Sequence, residues 1–251
     1  MTFWEAIAVM LAGFGAGAIN TVVGSGTLIT FPVLLAVGYP PVLANVSNTV
    51  GLVPGSLSGA IGYRAELTGQ ACRLLRLGVA SVLGGITGAL LLLVLPERAF
   101  RTIVPVLIVL ACVLVVVQPK LSARLRRRDG EPPTLARPLL YAGVFGTGIY
   151  GGYFGAAQGV LLIAVMGLLL DDNLQRVNAA KNVLALLVNA VAALVFIAVT
   201  DVAWAAAGLI AIGSVLGAQL GALVGRRIPD GVLRGVVVLV GVFAVVQIVG
   251  G

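Results

Sequence analysis

The chain has 251 residues, of which 60% are hydrophobic and only 10% charged, and its mean hydropathy is +1.12. Since a soluble domain carries roughly a quarter of its residues as charged groups, this composition excludes an ordinary soluble protein. Several apolar runs reach the roughly 20 residues with which a helix crosses a bilayer core. The sequence therefore predicts an all-α, polytopic membrane bundle whose surroundings are the lipid bilayer.

The net charge of +7 does not indicate binding to nucleic acid. Most of the lysines and arginines lie between the apolar runs, where they orient a membrane protein with its basic loops in the cytoplasm. The run KLSARLRRRDGEPPTLAR (Lys120–Arg137) is basic enough to contact anionic lipid, but a cytoplasmic loop is the simpler interpretation. The sequence has no histidine, which excludes histidine-based metal sites and proton relays, and no metal or cofactor is expected.

The apolar segments form two groups on either side of this basic run. We predict a first transmembrane repeat at 1–118, a cytoplasmic linker at 119–137 and a second transmembrane repeat at 138–251. The predicted segments are 3–22, 26–38, 43–62, 73–95 and 100–118, then 138–154, 157–170, 177–200, 203–224 and 232–250. The second segment of each repeat spans only about 20 Å, so we expect a short broken helix there, and whether it crosses fully or re-enters stays open.

The two halves resemble each other in two places and in the same order. The stretch GAGAINTVVGSGTLITFPVLL (Gly15–Leu35) resembles GTGIYGGYFGAAQGVLLIAVM (Gly146–Met166), and NVSNTV (Asn45–Val50) resembles NAAKNV (Asn178–Val183). Chance similarity between glycine-rich apolar segments is the alternative, but two ordered matches favour duplication. Five segments per repeat would give the repeats opposite orientations, and such inverted repeats are typical of secondary transporters. When the linker is placed in the cytoplasm, most of the arginines in the other loops also fall on the cytoplasmic side. This distribution of positive charge supports the predicted topology.

Gly24-Ser25-Gly26-Thr27 breaks the first repeat, and Gly155-Ala156-Ala157-Gln158 occupies the matching position in the second. A broken helix at membrane depth must be enclosed by protein or line a water-filled path. A helix that begins near Thr27 or Gln158 would aim its N–H groups and positive dipole at an anion. A phosphate-binding P-loop is excluded because no lysine follows Gly26. Close helix packing through small residues is the alternative for the glycines, but it does not explain the polar side chains nearby.

Asparagines mark the next segment of each repeat. Asn48 and Thr49 lie in the first, and Lys181 and Asn182 lie in the second. An ionisable residue within a membrane helix is costly and usually functional, so Lys181 is the strongest candidate for contact with an anionic substrate. The alternative is that Lys181 snorkels to the cytoplasmic interface. We prefer the functional interpretation because Lys181 aligns with Asn48.

With these motifs the chain resembles the sulfite exporter (TauE/SafE) family of membrane transporters. The similarity covers nearly the whole chain apart from the linker. It lies in GAGAINTVVGSGTLITFPVLLAVGYPP, ANVSNTVGLVPGSLSGAIGYR, GIYGGYFGAAQGVLLIAVMGLLL and VNAAKNVLALLVNAVAALVF. The resemblance implies a transporter of the inner (cytoplasmic) membrane that moves sulfite, sulfonates or related organic acids. By position it assigns Asn20, Gly24, Gly26, Asn48 and Thr49 to one motif and Gly155, Gln158, Lys181 and Asn182 to the other. The chain departs from the family pattern at Ser25 and at Ala157-Gln158.

We therefore expect a secondary transporter that works by alternating access on a small anion, and not an enzyme, since no nucleophile lies beside an evident base. A passive anion channel and a structural membrane subunit are the alternatives. Proton coupling and a homo-oligomer stay open, as do the substrate and the direction of transport. The predicted substrate-binding residues are Asn20, Gly24, Ser25, Gly26, Thr27, Asn48, Thr49, Gly155, Gln158, Lys181 and Asn182.

Overall fold

A computed structural model describes residues 1–126, 136–170, 172–224 and 239. Helices account for most of these residues, and no strand occurs among them. The helices are α1 (Phe3–Val22), α2 (Thr27–Ala36), α3 (Pro41–Gly62), α4 (Ala71–Val94), α5 (Glu97–Arg126), α6 (Ala136–Tyr153), α7 (Gln158–Leu169), α8 (Leu174–Val199) and α9 (Trp204–Val224), with a 3₁₀ helix at Arg64–Leu67. The all-helical prediction is confirmed. The centre of the predicted linker and, apart from Leu239, the predicted segment 232–250 lie outside the described residues.

Local sequence signals explain where these helices begin and end. Thr2 and Glu5 form a capping box at the start of α1, with the Thr2 N–H donating to Glu5 Oε2 at 2.6 Å. Asn173 caps α8 by accepting a hydrogen bond from the Gln175 N–H at 2.8 Å. Such caps satisfy N–H groups that have no partner within the helix. The predicted boundaries of the described segments lie within a few residues of the observed ones, with one exception: α5 was predicted to end at residue 118 but continues to Arg126, into the predicted linker.

Among the described residues, five helices are long and apolar enough to cross a membrane. They are Phe3–Val22, Ala71–Val94, Glu97–Val117, Leu174–Val199 and Trp204–Leu223. By contrast, α2 and α7 have 10 and 12 residues, which at 1.5 Å per residue is well short of a bilayer core of about 30 Å. Large apolar side chains such as Leu75, Val106 and Leu194 are exposed on the outside of the bundle. The chain is a multi-pass membrane protein with one short helix in each half.

Small residues let the long helices approach closely. A Cβ added to Gly13 of α1 would lie 2.9 Å from the Cα of Ile210 in α9, and one added to Gly148 of α6 would lie 2.8 Å from the Ser81 carbonyl oxygen in α4. Packing through small residues is common between membrane helices. The helix α1 thus packs on α9 and α4 packs on α6, while α3 contacts both α8 and α9. The first and second halves are therefore interleaved within one bundle.

A charged cluster joins the halves at one end of this bundle. The Asp172 carboxylate, in the loop between α7 and α8, accepts hydrogen bonds from Arg73 at 2.6 Å and from Arg176 at 2.9 Å. Arg176 also donates to the Thr68 carbonyl at 3.1 Å, and Gln70 donates to the Arg176 carbonyl at 3.2 Å. Burial alone would raise the pKa of Asp172, but the hydrogen bonds from Arg73 and the Asn173 N–H, with the charges of both arginines, lower it.

The first prediction concerns this cluster. Asp172→Asn should lower the free energy of unfolding at neutral pH by about 1–2 kcal/mol, between the values for exposed and fully buried ion pairs. Because the folded-state pKa lies below its ordinary value of 3.8, the stabilisation is fully present above that value and is lost as the pH falls through the folded pKa. Thermal unfolding in mild detergent at neutral and acidic pH measures both effects. Asp201→Asn, at an exposed loop carboxylate, is the control, and an equal loss there would contradict the assignment.

Candidate functional site

The two helix breaks predicted from the sequence lie against each other. The first lies between the end of α1 at Val22 and the start of α2 at Thr27, and the second between Tyr153 and Gln158. The Gly159 N–H, in the first turn of α7, donates to the carbonyl oxygen of Gly24 at 3.0 Å. A backbone group at each break thus finds its partner in the other half of the chain.

Glycine is required where the breaks cross. Gly24 and Gly155 have φ angles of +88° and +77°, in the left-handed region that glycine adopts most readily. A Cβ added to Gly159 would lie 2.5 Å from the Cα of Gly24 and 2.8 Å from the Cδ of Lys181. Gly159 is not among the predicted site residues, but in the structure it forms the contact itself.

Lys181 lies at the end of α1. Its side chain has no exposed surface, and its Nζ donates to the carbonyl oxygens of Asn20 at 3.0 Å and Thr21 at 3.2 Å. These carbonyls belong to the last turn of α1, where the helix dipole favours a positive charge. Snorkelling would bring the amine to the surface of the protein, whereas the Lys181 side chain is buried against Gly159.

No acidic side chain among the described residues forms an ion pair with Lys181. Within the described part of the chain, the ion pairs are those of Arg73 and Arg176 with Asp172, and Lys181 takes part in neither. The described elements also contain no group of three or more histidine, cysteine, aspartate or glutamate residues suited to hold a metal ion. The breaks therefore meet beside a buried amine whose hydrogen-bond acceptors are both uncharged.

Several polar groups near the breaks have no partner. The buried atoms Ser25 Oγ, Gln158 Nε2 and Asn182 Nδ2 make no hydrogen bond with any described residue. Ser25 is 0% exposed, Gln158 3% and Asn182 6%. Buried polar side chains nearly always have a hydrogen-bond partner. Ser25 and Gln158 lie in or next to the two breaks and Asn182 follows Lys181 in the chain, so these three groups are candidates for contact with a ligand.

The two short helices differ at their N-termini. At α7, the N–H groups of Gln158, Gly159 and Val160 donate to the carbonyls of Gly155, Gly24 and Ala157. At α2, the N–H groups of Ser25, Gly26 and Thr27 donate none of the hydrogen bonds found among the described residues. At the matching positions of α7, the N–H groups of Ala156 and Ala157 likewise have no acceptor among the described residues. The free N–H group that distinguishes α2 is therefore that of Thr27, the counterpart of Gln158, and free N–H groups at a helix N-terminus can donate hydrogen bonds to an anion.

Asn48 supports the start of α2. Its Nδ2 donates to the Thr27 hydroxyl at 3.2 Å, and its Oδ1 accepts from the Thr30 hydroxyl. Thr30 was not selected from the sequence, although it lies three residues after Thr27 and therefore on the same face of the helix. Thr49 donates to the Asn45 carbonyl of its own helix at 3.0 Å, so its hydroxyl is engaged within α3.

Asparagines connect the halves around the breaks. Asn45 of α3 donates to the Tyr153 carbonyl at the end of α6, at 3.0 Å. Asn20 and Asn189 donate to the same Ser56 hydroxyl at 3.4 Å and 3.3 Å. Asn45 and Asn189 make these contacts, although neither is among the predicted site residues. A polar side chain within an apolar helix is the sequence signal that could have identified them.

The structure brings most of the predicted site residues into one neighbourhood. Lys181 contacts Asn20, Asn48 contacts Thr27, and a Cβ added to Gly155 would lie 3.8 Å from the Thr27 hydroxyl oxygen. A Cβ added to Gly26 would lie 2.6 Å from the Ala16 carbonyl, so Gly26 packs on α1. Gln158 lies against α6, where a Cβ on Gly151 would be 2.6 Å from its Nε2.

Comparison with known proteins assigns the chain to a family. Residues 9–248 match the model of the family described as sulfite exporter TauE/SafE. The chain is 31% identical over 215 residues to the probable membrane transporter protein YfcA of Escherichia coli K12, covering 84% of this chain and 76% of the relative. It is 28% identical over 213 residues to a probable membrane transporter protein of Haemophilus influenzae, covering 84% and 81%. No solved structure matches the chain significantly.

The second prediction tests the crossing of the two breaks. Gly159→Ala should destabilise the protein by about 1–3 kcal/mol, as overpacking does in a closely packed interior, because the new methyl group meets both Gly24 and Lys181. Gly146→Ala is the matched control: Gly146 is an exposed position in α6 with nothing within 4 Å of an added Cβ. The control should be unchanged or more stable, by up to about 1 kcal/mol. Thermal unfolding in detergent compares the two, and equal stability would contradict the described crossing.

Proposed function

The chain belongs to the sulfite exporter TauE/SafE family of membrane transporters, and we propose that it moves a small anion across the cytoplasmic membrane as a secondary transporter. The observation that carries this proposal is Lys181, a fully buried amine without an acidic partner among the described residues. A buried charge requires a counter-charge close by. A bound anion supplies that charge during transport, so the site selects negative substrates.

Hydrogen-bond donors around the breaks complete the proposed site. The free N–H groups of Ser25, Gly26 and Thr27 lie at the positive end of the α2 dipole, where oxyanions bind in many proteins. The unpartnered Ser25 hydroxyl and the amides of Gln158 and Asn182 add side-chain donors. A small oxyanion with several acceptor oxygens, such as sulfite, thiosulfate or a sulfonate, matches this set of donors. Asn48 contributes by fixing Thr27.

The proposed mechanism is alternating access between two inverted repeats. If α1, α2, α3 and α4 correspond to α6, α7, α8 and α9, each main helix contact has a counterpart: α1 on α9 matches α6 on α4, and α3 on α9 matches α8 on α4. The third helix of each half also bonds the end of the first helix of the other half, through Asn45 and Lys181. This arrangement supports rocking of one group of helices against the other around a central site.

The charged cluster supports the cytoplasmic orientation that we propose for the linker. Arg73 and Arg176 bind the same carboxylate, so the loops before α4 and α8 lie at the same end of the bundle. Loops rich in arginine and lysine face the cytoplasm. We therefore assign this end to the cytoplasm.

The third prediction separates binding from stability at Ser25. Ser25→Ala removes a hydroxyl that has no protein partner, so the melting temperature without anion should not fall. The rise in melting temperature on adding thiosulfate, sulfate or ethanesulfonate should shrink, with at least about tenfold weaker binding for a lost hydrogen bond to a charged ligand.

Ser81→Ala is the matched control for Ser25→Ala. The Ser81 side chain is equally buried but donates to the Leu184 carbonyl at 3.2 Å. Its loss should cost about 1 kcal/mol of stability and leave the anion-induced rise unchanged. Equal responses of the two variants to anion would remove Ser25 from the site.

The fourth prediction concerns transport itself. In proteoliposomes, the wild-type protein should exchange labelled for unlabelled anion with saturation, and Lys181→Ala should reduce this exchange at least about tenfold, since it removes a charged group from the site. Arg137→Ala, which removes an exposed positive charge at the start of α6, should retain exchange. Passive conductance by the wild type without saturable exchange would favour a channel and contradict the transporter proposal.

A further inference from the structure

Lys181 has a second role that rests on the function proposed above. We propose that its amine carries a proton through the transport cycle, so that the anion and one proton bind and cross the membrane together. The observation that leads to this role is the hydrogen-bonding pattern of the amine, whose acceptors are two neutral carbonyls at the end of α1.

The same two bonds suit both protonation states of the amine. A neutral amine has two N–H groups and one lone pair, and an ammonium has three N–H groups. Asn20 and Thr21 accept two hydrogen bonds from Nζ, and no described residue accepts a third. The neutral amine can therefore donate both of its hydrogens to α1 and keep its lone pair in the remaining direction. Protonation forms one N–H bond at that lone pair, deprotonation returns the proton to water, and no other bond changes.

Proton binding and anion binding must then favour each other. The protonated amine is a buried charge that an anion stabilises, and a bound anion equally stabilises the protonated amine. Such a coupling is reciprocal, because each ligand changes the affinity of the other by the same factor. For an anion of one negative charge, the pair that crosses is neutral. The summed gradients of anion and proton then set the direction of transport.

The ionisable groups on the elements packed around α8 do not provide another proton carrier at the breaks. The helices α3 and α7 contain none. The remaining ones are Glu5 of α1, Arg64 and Glu66 of the 3₁₀ helix with Tyr63 before it, Cys72, Arg73 and Arg76 of α4, Arg137, Tyr141, Tyr150 and Tyr153 of α6, and Asp172 and Arg176 before and within α8. None of these side chains forms a hydrogen bond or ion pair with Lys181. The Tyr150 hydroxyl donates to the Ala156 carbonyl, and Asp172 is paired with two arginines.

Calorimetry of anion binding tests the proposal directly. Purified protein is titrated with whichever of thiosulfate, sulfate and ethanesulfonate binds most tightly, because sulfite itself takes up a proton near neutral pH. Repeating the titration in buffers of different ionisation enthalpy gives the number of protons taken up for each anion bound. Between about pH 6 and pH 10, where protein amines titrate, the uptake by wild-type protein should pass through a maximum that approaches one proton per anion.

Two variants locate the proton. Lys181→Arg carries a permanent charge, so it should bind the anion with no proton uptake at any pH in this range. Asp172→Asn, a control away from the breaks, should keep the wild-type uptake. In proteoliposomes clamped at zero membrane potential, an inward anion gradient should acidify the lumen with wild-type protein and with Asp172→Asn, but not with Lys181→Arg.

The outcomes distinguish this proposal from the proposed function. Wild-type binding without proton uptake across the whole pH range would overturn the proton role while leaving an anion transporter. Uptake that persists in Lys181→Arg, or disappears in Asp172→Asn, would assign the proton to another group. If none of the three anions binds wild-type protein, the proposed function itself fails. If Lys181→Arg does not fold, the number of protons taken up by the wild type and by Asp172→Asn still tests whether anion binding is coupled to proton uptake.

Discussion

The structure depends on one constraint, that a backbone N–H or C=O inside a membrane must find a partner in the protein. A helix that ends inside a membrane leaves such groups without a partner in the helix, and each half of this chain contains one such break. The hydrogen bond from the Gly159 N–H to the Gly24 carbonyl satisfies one group from each break. Lys181 and Asn45 bind the last carbonyls of α1 and α6. The breaks are therefore stable only because the two halves pack together.

This dependence links the packing of the bundle to the proposed site. Three of the contacts that complete the breaks cross between the halves: Gly159 to Gly24, Lys181 to the end of α1, and Asn45 to the end of α6. A movement of one half against the other would change those contacts. The charged cluster around Asp172 is also made largely of bonds between the halves. The polar contacts between halves thus lie both at the breaks and at one end of the bundle.

The sequence predicted the helices well because their signals are local. Apolar length, caps and glycine breaks lie within one turn or one segment, and the described helices follow them. It also predicted a helix break in each half, and both breaks are present. It could not predict which N–H groups are free, because their partners lie in the other half of the chain. The acceptors of Lys181 were equally hidden, since every residue has a carbonyl and only the packing selects Asn20 and Thr21.

The two halves of the proposed duplication differ at the positions that define the site. In the alignment of the breaks, Gly159 takes the place of Leu28, and only glycine permits the contact with Gly24. That contact gives the Gly159 N–H an acceptor in the other half, whereas the Leu28 N–H donates to the Ser25 carbonyl within its own half. Lys181 takes the place of Asn48, so the amine at the breaks comes from the second half. The first half contributes the N–H groups of Gly26 and Thr27, which have no acceptor among the described residues. An anion at the proposed site would therefore contact both halves.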